Sequence, residues 1–486
     1  MSRKNLVIAF VFASIAGCNG GSWNSGDRVL VAKCLYDTRV IEPRRFDVVV
    51  FKYPESPVDR NTPKNYIKRL IGLPGEIIAI FFGRLYRYTP GDQEIPYRRE
   101  DEGIEPRNLW RRENVHGLGR PDSFAETRFK EGKFEILRKP PDIMLALRRI
   151  VYDNDYPPRD LERMVPPRWN PARKSGWKDD GKQGFVHNGE QQPGIDWLRY
   201  QHIVVERSLE RPASGGEFKP QLITDRMGYN SFVLQGGAPQ TPYPNWVGDL
   251  MLECNVEVQK SQGELIFELS KGIYRFQAQW NLADGVCKLV RIDQGGKEEA
   301  LGEPRATRLR EPGSYLVRFA NIDARLTVWV DRELPLGDGV TYAPPEVRGP
   351  GEDIDDDKLV KRRGPTENDL QPASLGSKGA AVAVKHLRLW RDTYYTTHPQ
   401  GPDWNPQDRR ADDIMPAEAW GDPGRWEPLQ KLSFRTLYVQ PGHYLCLGDN
   451  STASSDSRDW GLVPERLMLG RALAVYYPVH RLGPIR

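Results

Sequence analysis

The sequence predicts a mainly β protein, in which a small antiparallel β core is interrupted by an inserted β-sandwich. Three observations support this. The 486 residues include 40 Pro and 45 Gly, which favour turns over long helices. Short β-branched runs lie near both ends of the chain, within 19–88 and 432–486, the two predicted halves of the core. Between them, several segments alternate apolar and polar residues with period two, which is typical of half-buried strands.

The composition indicates a folded part that lies in water. Charged residues make up 28% and hydrophobic residues 38% of the chain, and the mean hydropathy is -0.62. The net charge of +4 comes from 70 basic and 66 acidic side chains, without the concentrated basic excess that a phosphate-binding surface needs. We therefore expect no nucleic-acid partner.

Residues 1–18 are predicted to be an export signal of the lipoprotein type. A basic start precedes an apolar run from Leu6 to Ala16, which as a helix spans about 16 Å, half of a membrane's hydrocarbon core. The run therefore targets the chain and does not span a membrane. The small residues before Cys18 resemble a bacterial lipobox, in which the cysteine takes a lipid and the segment before it is removed. The alternatives are an ordinary signal peptide with a chance cysteine, or a shortened membrane anchor.

A lipid on Cys18 would anchor the protein to the membrane in the cell envelope, with the folded part outside the cytoplasm. Disulfides can persist there, and Cys254 and Cys287, on neighbouring predicted strands, would either pair or remain buried free thiols. The sequence contains no Cys-x-x-Cys motif and its seven His are scattered. We therefore expect no metal site and no cofactor.

The core is predicted from strands around polar turns. VLVAK, DVVVFKY and IIAIFF are bounded by Gly, Asp and Pro, and HYLCL and ALAVYYPV flank a polar turn near the C-terminus. The turns YIKR and GDNSTASSDSRDWG are the places where chemistry could be carried. A lysine between apolar strands is also expected to have a lowered pKa, because desolvation penalises the ammonium form.

Four segments of the core resemble the type I signal peptidases, Ser/Lys endopeptidases that remove signal peptides at the outer face of the membrane. The family's motifs GD-x-x-LV-x-K, RGDVVVF, YIKR-x-x-GLPGD and GDN-x-x-x-S-x-D-S-R-x-WG-x-V stand here as GDRVLVAK (26–33), RFDVVVF (45–51), YIKRLIGLPGE (66–76) and GDNSTASSDSRDWGLV (448–463). The resemblance implies a shared core fold. It also implies signal peptides, or extended segments of exported proteins, as partners.

The resemblance places the family's general base at Lys68. It places the serine that orients this lysine at Ser454, and the supporting acid and arginine at Asp456 and Arg458. A lysine accepts a proton only when neutral, so the role requires burial. Without the motif, Lys68 would be interpreted as an exposed strand lysine, and Ser454 and Asp456 as members of a hydrogen-bonded polar turn.

The family's nucleophile motif, S-x-S-M-x-P-T-L-x-x-GD, is missing. Counting back eight residues from Gly26 reaches Cys18, and Ala16 stands where the family has the serine that helps bind the oxyanion. Cys18 could be a thiol nucleophile paired with Lys68, a lipidated residue with a blocked sulfur, or a passive residue. Ser22 or Ser25 could attack only if the loop moved. We expect catalysis to be weakened or lost.

The inserted region follows in three parts. Residues 89–160 are an irregular Arg/Pro-rich connection, with an amphipathic helix predicted over 142–152. Residues 161–397 contain the alternating segments, such as Leu250, Leu252, Cys254, Val256 and Val258, and resemble the concanavalin-like jelly-roll modules of exported bacterial proteins. Residues 398–431 are a predicted linker. Such modules often bind carbohydrate, which makes a glycan a possible partner, although Trp280, Trp329 and Trp390 fit core positions better.

Two functions follow from these patterns. The first is a signal-peptidase-like endopeptidase with Lys68 as base and either Cys18 or a displaced serine as nucleophile. The second is a non-catalytic lipid-anchored envelope protein that binds extended peptide, protein or glycan through the old cleft and the sandwich.

Overall fold

A computed structural model describes 26–33, 36, 42–54, 64–91, 124–158, 165–172, 174–190, 193–204, 218–226, 232–233, 239–240, 244–348, 352, 354–399, 401–406 and 417–486. The export signal with Cys18, Ser22 and Ser25, and also Cys34, lie outside the described residues. None of the helices in the described ranges is long and apolar enough to cross a membrane.

Strands dominate the described chain. The strands before residue 160 are β1 Arg28–Ala32, β2 Val48–Lys52, β3 Asn65–Gly72, β4 Ile77–Phe81, β5 Arg84–Tyr88, β6 Glu135–Ile136 and β7 Arg149–Asp153. Those of the middle are β8 Trp169–Pro171, β9 Trp177–Asp179, β10 Phe185–Asn188, β11 Asp196–Tyr200, β12 Phe232–Val233, β13 Pro239–Gln240, β14 Leu250–Val258, β15 Glu264–Lys271, β16 Tyr274–Asn281, β17 Val286–Ile292, β18 Glu298–Ala306, β19 Gly313–Ile322, β20 Arg325–Val330, β21 Val340–Thr341, β22 Ala373–Lys378 and β23 Ala381–Arg391. The last are β24 Arg435–Tyr438, β25 His443–Leu447, β26 Val463–Pro464, β27 Met468–Tyr477 and β28 Gly483–Pro484. The α-helices are α1 Phe124–Lys130, α2 Pro141–Leu147, α3 Asp356–Lys361 and α4 Ser457–Trp460, and short 3-10 turns lie between them.

The core consists of two antiparallel sheets that join the two ends of the chain. One has the order β1-β27-β2-β3-β25-β26, with β28 beside β27, and the other has the order β24-β4-β5-β6. The apolar face of β4, with Ile78 and Ile80, packs against Leu437 and Leu445 from the C-terminal segment. The two distant segments therefore bury one shared set of apolar side chains, and neither can complete this core alone.

The insertion is a sandwich of two antiparallel sheets, with the orders β21-β20-β19-β14-β23-β10-β9, extended by β7 beside β23, and β18-β17-β16-β15-β22-β11-β8. The predicted fold class is confirmed. The alternation holds as well: alternate residues of β14, from Leu250 to Val258, point between the sheets together with Phe276, Ala278 and Trp280 of β16. Burial of these side chains between the two sheets explains why apolar and polar residues alternate along the sandwich strands.

The structure shows where the three tryptophans and the two cysteines of the insertion lie. Trp280 is fully buried between the sheets, and Trp329 is 3% exposed in a second cluster on the outer face of one sheet. Trp390 is half-buried against that cluster. Cys254 and Cys287 are buried free thiols. Their strands, β14 and β17, lie in different sheets, so the expectation that they are neighbouring strands was wrong.

The connecting segments differ from the sequence expectation in two places. The helix expected over 142–152 ends at Leu147, and Arg149–Asp153 instead forms β7. The β-branched Ile150 and Val151 favour extended backbone, and β7 pairs with the edge of β23. The expected linker at 398–431 contributes Trp404, Trp420 and Trp426 to a buried aromatic cluster with Trp246 of the insertion. The described residues of this segment therefore pack against the insertion.

A buried ion network fastens the sandwich to the core. Arg84 of β5 donates two hydrogen bonds to Asp249, at 3.1 and 2.9 Å, and one to Glu346 at 3.2 Å. Lys271 of β15 pairs with the same two carboxylates. Because Arg84 is only 2% exposed, its charge depends on these partners from the insertion.

A second lysine completes the network. The Lys139 ammonium lies between Asp323, at 2.7 Å, and Asp392, at 2.8 Å. Desolvation would lower the pKa of Lys139, but the two carboxylates outweigh it and raise the pKa above its usual range. Asp249, Asp323 and Asp392 lie close enough together to hold a metal ion. In this structure protein cations occupy that position, so the cluster acts as an internal salt bridge.

Replacing Lys139 tests this network. We expect Lys139→Met to reduce the free energy of unfolding by about 3–5 kcal/mol, because it leaves buried carboxylates without their cation. Lys133→Met, at an exposed position a few residues earlier, should change it by less than about 0.5 kcal/mol. Urea unfolding measures both variants. Equal effects would show that the buried ion pairs of Lys139 do not stabilise the fold.

Candidate functional site

Lys68 lies in the middle of β3, where the core meets the C-terminal segment. Its backbone pairs with Val49 of β2, and β25 pairs only with residues 69–72 of β3. The Lys68 Nζ atom donates a hydrogen bond to Ser454 Oγ at 2.8 Å, across 386 residues of sequence. The structure thus brings together the lysine and the serine that the sequence analysis selected.

The environment of Lys68 favours its neutral form. Desolvation lowers the pKa of Lys68, and Arg458 lowers it further, while Asp456 opposes the shift. The ammonium is half-buried at the edge of a cleft and not fully enclosed. A lysine with a lowered pKa next to a hydroxyl can accept a proton at a more neutral pH than a free lysine can.

Ser454 is held by the turn that carries it. A 3-10 turn at Ser451–Ala453 ends in the extended backbone of Ser454, which is 6% exposed. Gly448 leaves room for the serine, because a Cβ atom at that position would lie 1.9 Å from Ser454 Oγ. The glycine of this turn is therefore a steric requirement of the Lys68–Ser454 contact.

Asp456 and Arg458 form the buried frame of the turn. Arg458 Nε and Nη2 donate to the two carboxylate oxygens of Asp456, at 2.9 and 2.7 Å. Arg458 Nη2 also donates to the Ser451 carbonyl at 2.7 Å, and the Gly448 N–H donates to Asp456 at 2.9 Å. Neither side chain of the pair is accessible to solvent. The pair supports the turn from behind and does not itself face the cleft.

An ion pair that was not predicted from the sequence lies beside Lys68 on the same strand. Arg69 donates to both carboxylate oxygens of Asp449 at 2.8 Å, and to the Phe46 carbonyl at 2.7 Å. Arg69 directly follows Lys68 and Asp449 directly follows Gly448, both within the quoted motifs. This position next to the site residues was the sequence feature that could have predicted the pair. The pair fixes β3 against the turn that carries Ser454.

These groups line a cleft of about 860 Å³. One wall is the core, with Tyr66, Lys68 and Ser454 among its residues. The opposite wall belongs to the insertion and consists of residues of α2 together with Arg318 of β19. This wall could not be predicted, because nothing local in the sequence places α2 opposite β3.

Cys446 is the cysteine nearest to this site in the described part of the chain. It lies on β25 and is completely buried. Burial, with Asp456 adding to it, raises the pKa of the Cys446 thiol, so the thiol remains neutral and is a poor nucleophile. Cys446 therefore offers no substitute for a nucleophile outside the described residues.

Two segments of the chain are similar to a known protein family. Residues 6–117 and 378–477 match the family model described as signal peptidase, peptidase S26. Relatives include a probable signal peptidase I-2 of Synechocystis sp., 49% identical over 45 residues that are 9% of this chain and 21% of the relative. A signal peptidase I of Pseudomonas fluorescens is 44% identical over 63 residues, 11% of this chain and 20% of the relative. The chain thus spans about a fifth of the length of these curated relatives.

Comparison with solved structures finds only weak likenesses to this chain. Carbohydrate-binding module CBM66 from Bacillus subtilis matches 46% of this chain and 94% of its own, with 9% identity and a TM-score of 0.26. The galectin LEC-6 of Caenorhabditis elegans matches 34% of this chain and 98% of its own, with 13% identity and a TM-score of 0.19. The sandwich assignment rests on its own strand pairing.

The lowered pKa of Lys68 predicts a specific pH dependence of stability. Between this pKa and about 10.4, the value of an unfolded lysine, the unfolded chain binds more protons than the folded chain. The contribution of Lys68 to the free energy of unfolding therefore rises with pH in that window. Urea unfolding of the wild type and Lys68→Met across the window measures it. The difference, wild type minus variant, should increase with pH. A constant or decreasing difference would contradict the desolvated position of the amine.

Proposed function

We propose that this protein, whose split core is of the type I signal peptidase family, is a lysine-base endopeptidase acting on extended segments of exported proteins. One observation carries the proposal: the desolvated Lys68 amine lies 2.8 Å from Ser454 Oγ in a cleft open to solvent. A general base needs an amine with a lowered pKa, a fixed orientation and access to substrate.

The backbone beside Lys68 offers a place for the substrate. Because β25 pairs only with residues 69–72, residues 65–68 have no strand neighbour on that side within the described ranges. A bound polypeptide can add there as a strand through main-chain hydrogen bonds. Strand addition would place a peptide carbonyl within the cleft, next to the Lys68 amine.

In the proposed reaction the neutral Lys68 removes the proton of the nucleophile as it attacks the carbonyl carbon. The lysine then donates that proton to the departing amine, which leaves an acyl-enzyme. Water, deprotonated by the same lysine, then attacks the acyl carbon; the nucleophile leaves, takes back the proton from the lysine, and the new carboxyl end of the peptide is released. Ser454 holds the amine in position throughout, and the buried Asp456–Arg458 pair holds Ser454.

Position in the sequence supports three candidates for the nucleophile. Cys18 stands eight residues before Gly26, and Ser22 and Ser25 are the displaced alternatives. With Ala16 in place of the oxyanion-binding serine, we expect a rate reduced by about 10²- to 10³-fold relative to a complete site.

A second function is favoured by the sequence around Cys18. The basic start, the apolar run and the small residues before Cys18 together fit lipid attachment, which blocks the sulfur. The protein would then be a membrane-anchored envelope protein outside the cytoplasm. It would bind extended peptide, protein or glycan without cleaving it.

Cleavage of a peptide that spans a signal-peptide cleavage region, with the membrane-extracted full chain, tests the proposed enzyme. We expect Lys68→Ala to lower kcat/KM by about 10²- to 10⁴-fold, because it removes the general base. Lys52→Ala, at an exposed position on the neighbouring strand β2, should retain wild-type activity.

Intact-mass analysis of the N-terminus and a Cys18→Ala variant separate the two functions. An acylated Cys18 excludes the thiol as nucleophile, and cleavage that survives Cys18→Ala assigns the attack to a serine. Activity that is equal in the wild type and Lys68→Ala would exclude the lysine-base enzyme.

A further inference from the structure

We propose that the inserted wall of the cleft selects polypeptide segments that carry an acidic side chain, with Arg148 as the specificity-determining residue. This inference deepens the proposed function and rests on it for the identity of the ligand as an extended polypeptide. Its evidence is separate, because it comes from the side of the cleft that belongs to the insertion.

The inserted wall is formed by α2 and the strand behind it. Asp142, Leu145, Ala146 and Arg148 of α2 and its C-terminal end line the cleft, together with Arg318 of β19. The core wall opposite carries Lys68 and Ser454. A polypeptide lying along β3 would therefore have one face toward the lysine and the other face toward this inserted wall, since side chains of a strand alternate between its two faces.

Arg148 is held rigidly at this wall. Its guanidinium carbon lies 4.4 Å from the centre of the Trp390 ring, and its Nη1 donates to the Leu145 carbonyl at 2.6 Å. Stacking and this hydrogen bond fix the plane of the guanidinium before any ligand arrives. A preorganised cation loses little side-chain entropy when it binds a carboxylate.

The positive charge of Arg148 is not neutralised by a carboxylate in the described part of the chain. No carboxylate there forms an ion pair with Arg148, and its buried Nε atom has no hydrogen-bond partner. The nearby Glu253 is already shared, since it pairs with Arg318 and, at 3.6 Å, with Arg388. The wall therefore presents an unneutralised cation to the cleft.

The local electrostatics favour an incoming anion. Desolvation lowers the pKa of Arg148, Glu253 opposes the shift, and Arg318 and Arg388 add to it. A carboxylate from a ligand would relieve both the desolvation and the repulsion among the guanidiniums. Asp142, exposed at the other end of α2, lies about 9 Å away along the helix axis, given 1.5 Å per residue. The acidic preference should therefore be confined to the end of the wall near Arg148.

A positional scan tests the assignment. The probe is a fluorescent peptide spanning a signal-peptide cleavage region, with Asp, Asn or Lys placed at one position at a time. We expect the full chain to prefer Asp over Asn by about 10- to 100-fold at one or two positions, the effect of a charge-assisted hydrogen bond. Arg148→Met should remove this preference and Arg148→Lys should retain part of it. Arg332→Met, an exposed arginine outside the cleft, should leave it unchanged.

Two readouts separate this inference from the enzymatic proposal. Cleavage gives kcat/KM, and fluorescence anisotropy with Lys68→Ala gives peptide binding without turnover. An Arg148-dependent acidic preference in binding, with no cleavage of any peptide, would support the specificity and overturn the enzyme. Cleavage or binding that does not distinguish Asp from Asn, or a preference unchanged in Arg148→Met, would overturn the inference and leave the enzyme standing.

Discussion

The fold depends on antiparallel pairing between two segments of the chain that the whole insertion separates. β3 pairs with β25, and β27 lies between β1 and β2. The Lys68–Ser454 hydrogen bond crosses the same gap of 386 residues. Lys68 comes from the first segment and Ser454 from the second, so their contact exists only when this pairing is complete.

The way the insertion leaves and re-enters the core makes this pairing possible. β4 has β5 on one side and β24 on the other, so the chain departs and returns on strands that flank a common neighbour. Two strand spacings amount to about 10 Å. A folded insertion with its ends this close together imposes less closure entropy than a flexible chain of the same length. The buried contacts of Arg84 then orient the sandwich against the core, and those of Lys139, just before α2, hold α2 on the sandwich.

The sequence was informative where local pattern determines structure. Lys68, Ser454, Asp456 and Arg458 could be selected because their motifs carry them at fixed spacings, and the alternation of β14 predicted its buried face correctly. The second wall of the cleft could not be predicted, because Arg148 reaches it only through the packing of α2 against Trp390 and the sheet behind it. The helix predicted over 142–152 was too long for a similar reason, because residues 149–153 pair with the edge of β23.

Phe46 illustrates how a local rule is overridden by packing. It stands where the related motif has glycine, and its φ of 69° lies in the left-handed region that disfavours side chains. The ring is 7% exposed and packs with Ile71 and Leu445. Burial of a phenylalanine, worth about 1.5–3 kcal/mol, offsets a backbone cost of about 1–2 kcal/mol.

Native-state hydrogen exchange measures the closure of the core most directly. If the two outer segments form one cooperative unit, the hydrogen-bonded amides of β3 and of β25 should exchange with the same free energy of opening, and this value should fall equally for both when denaturant is added. If the amides of β25 open at much lower free energy while those of β3 remain protected, the segments fold independently. The account of a site built by joining them would then be wrong.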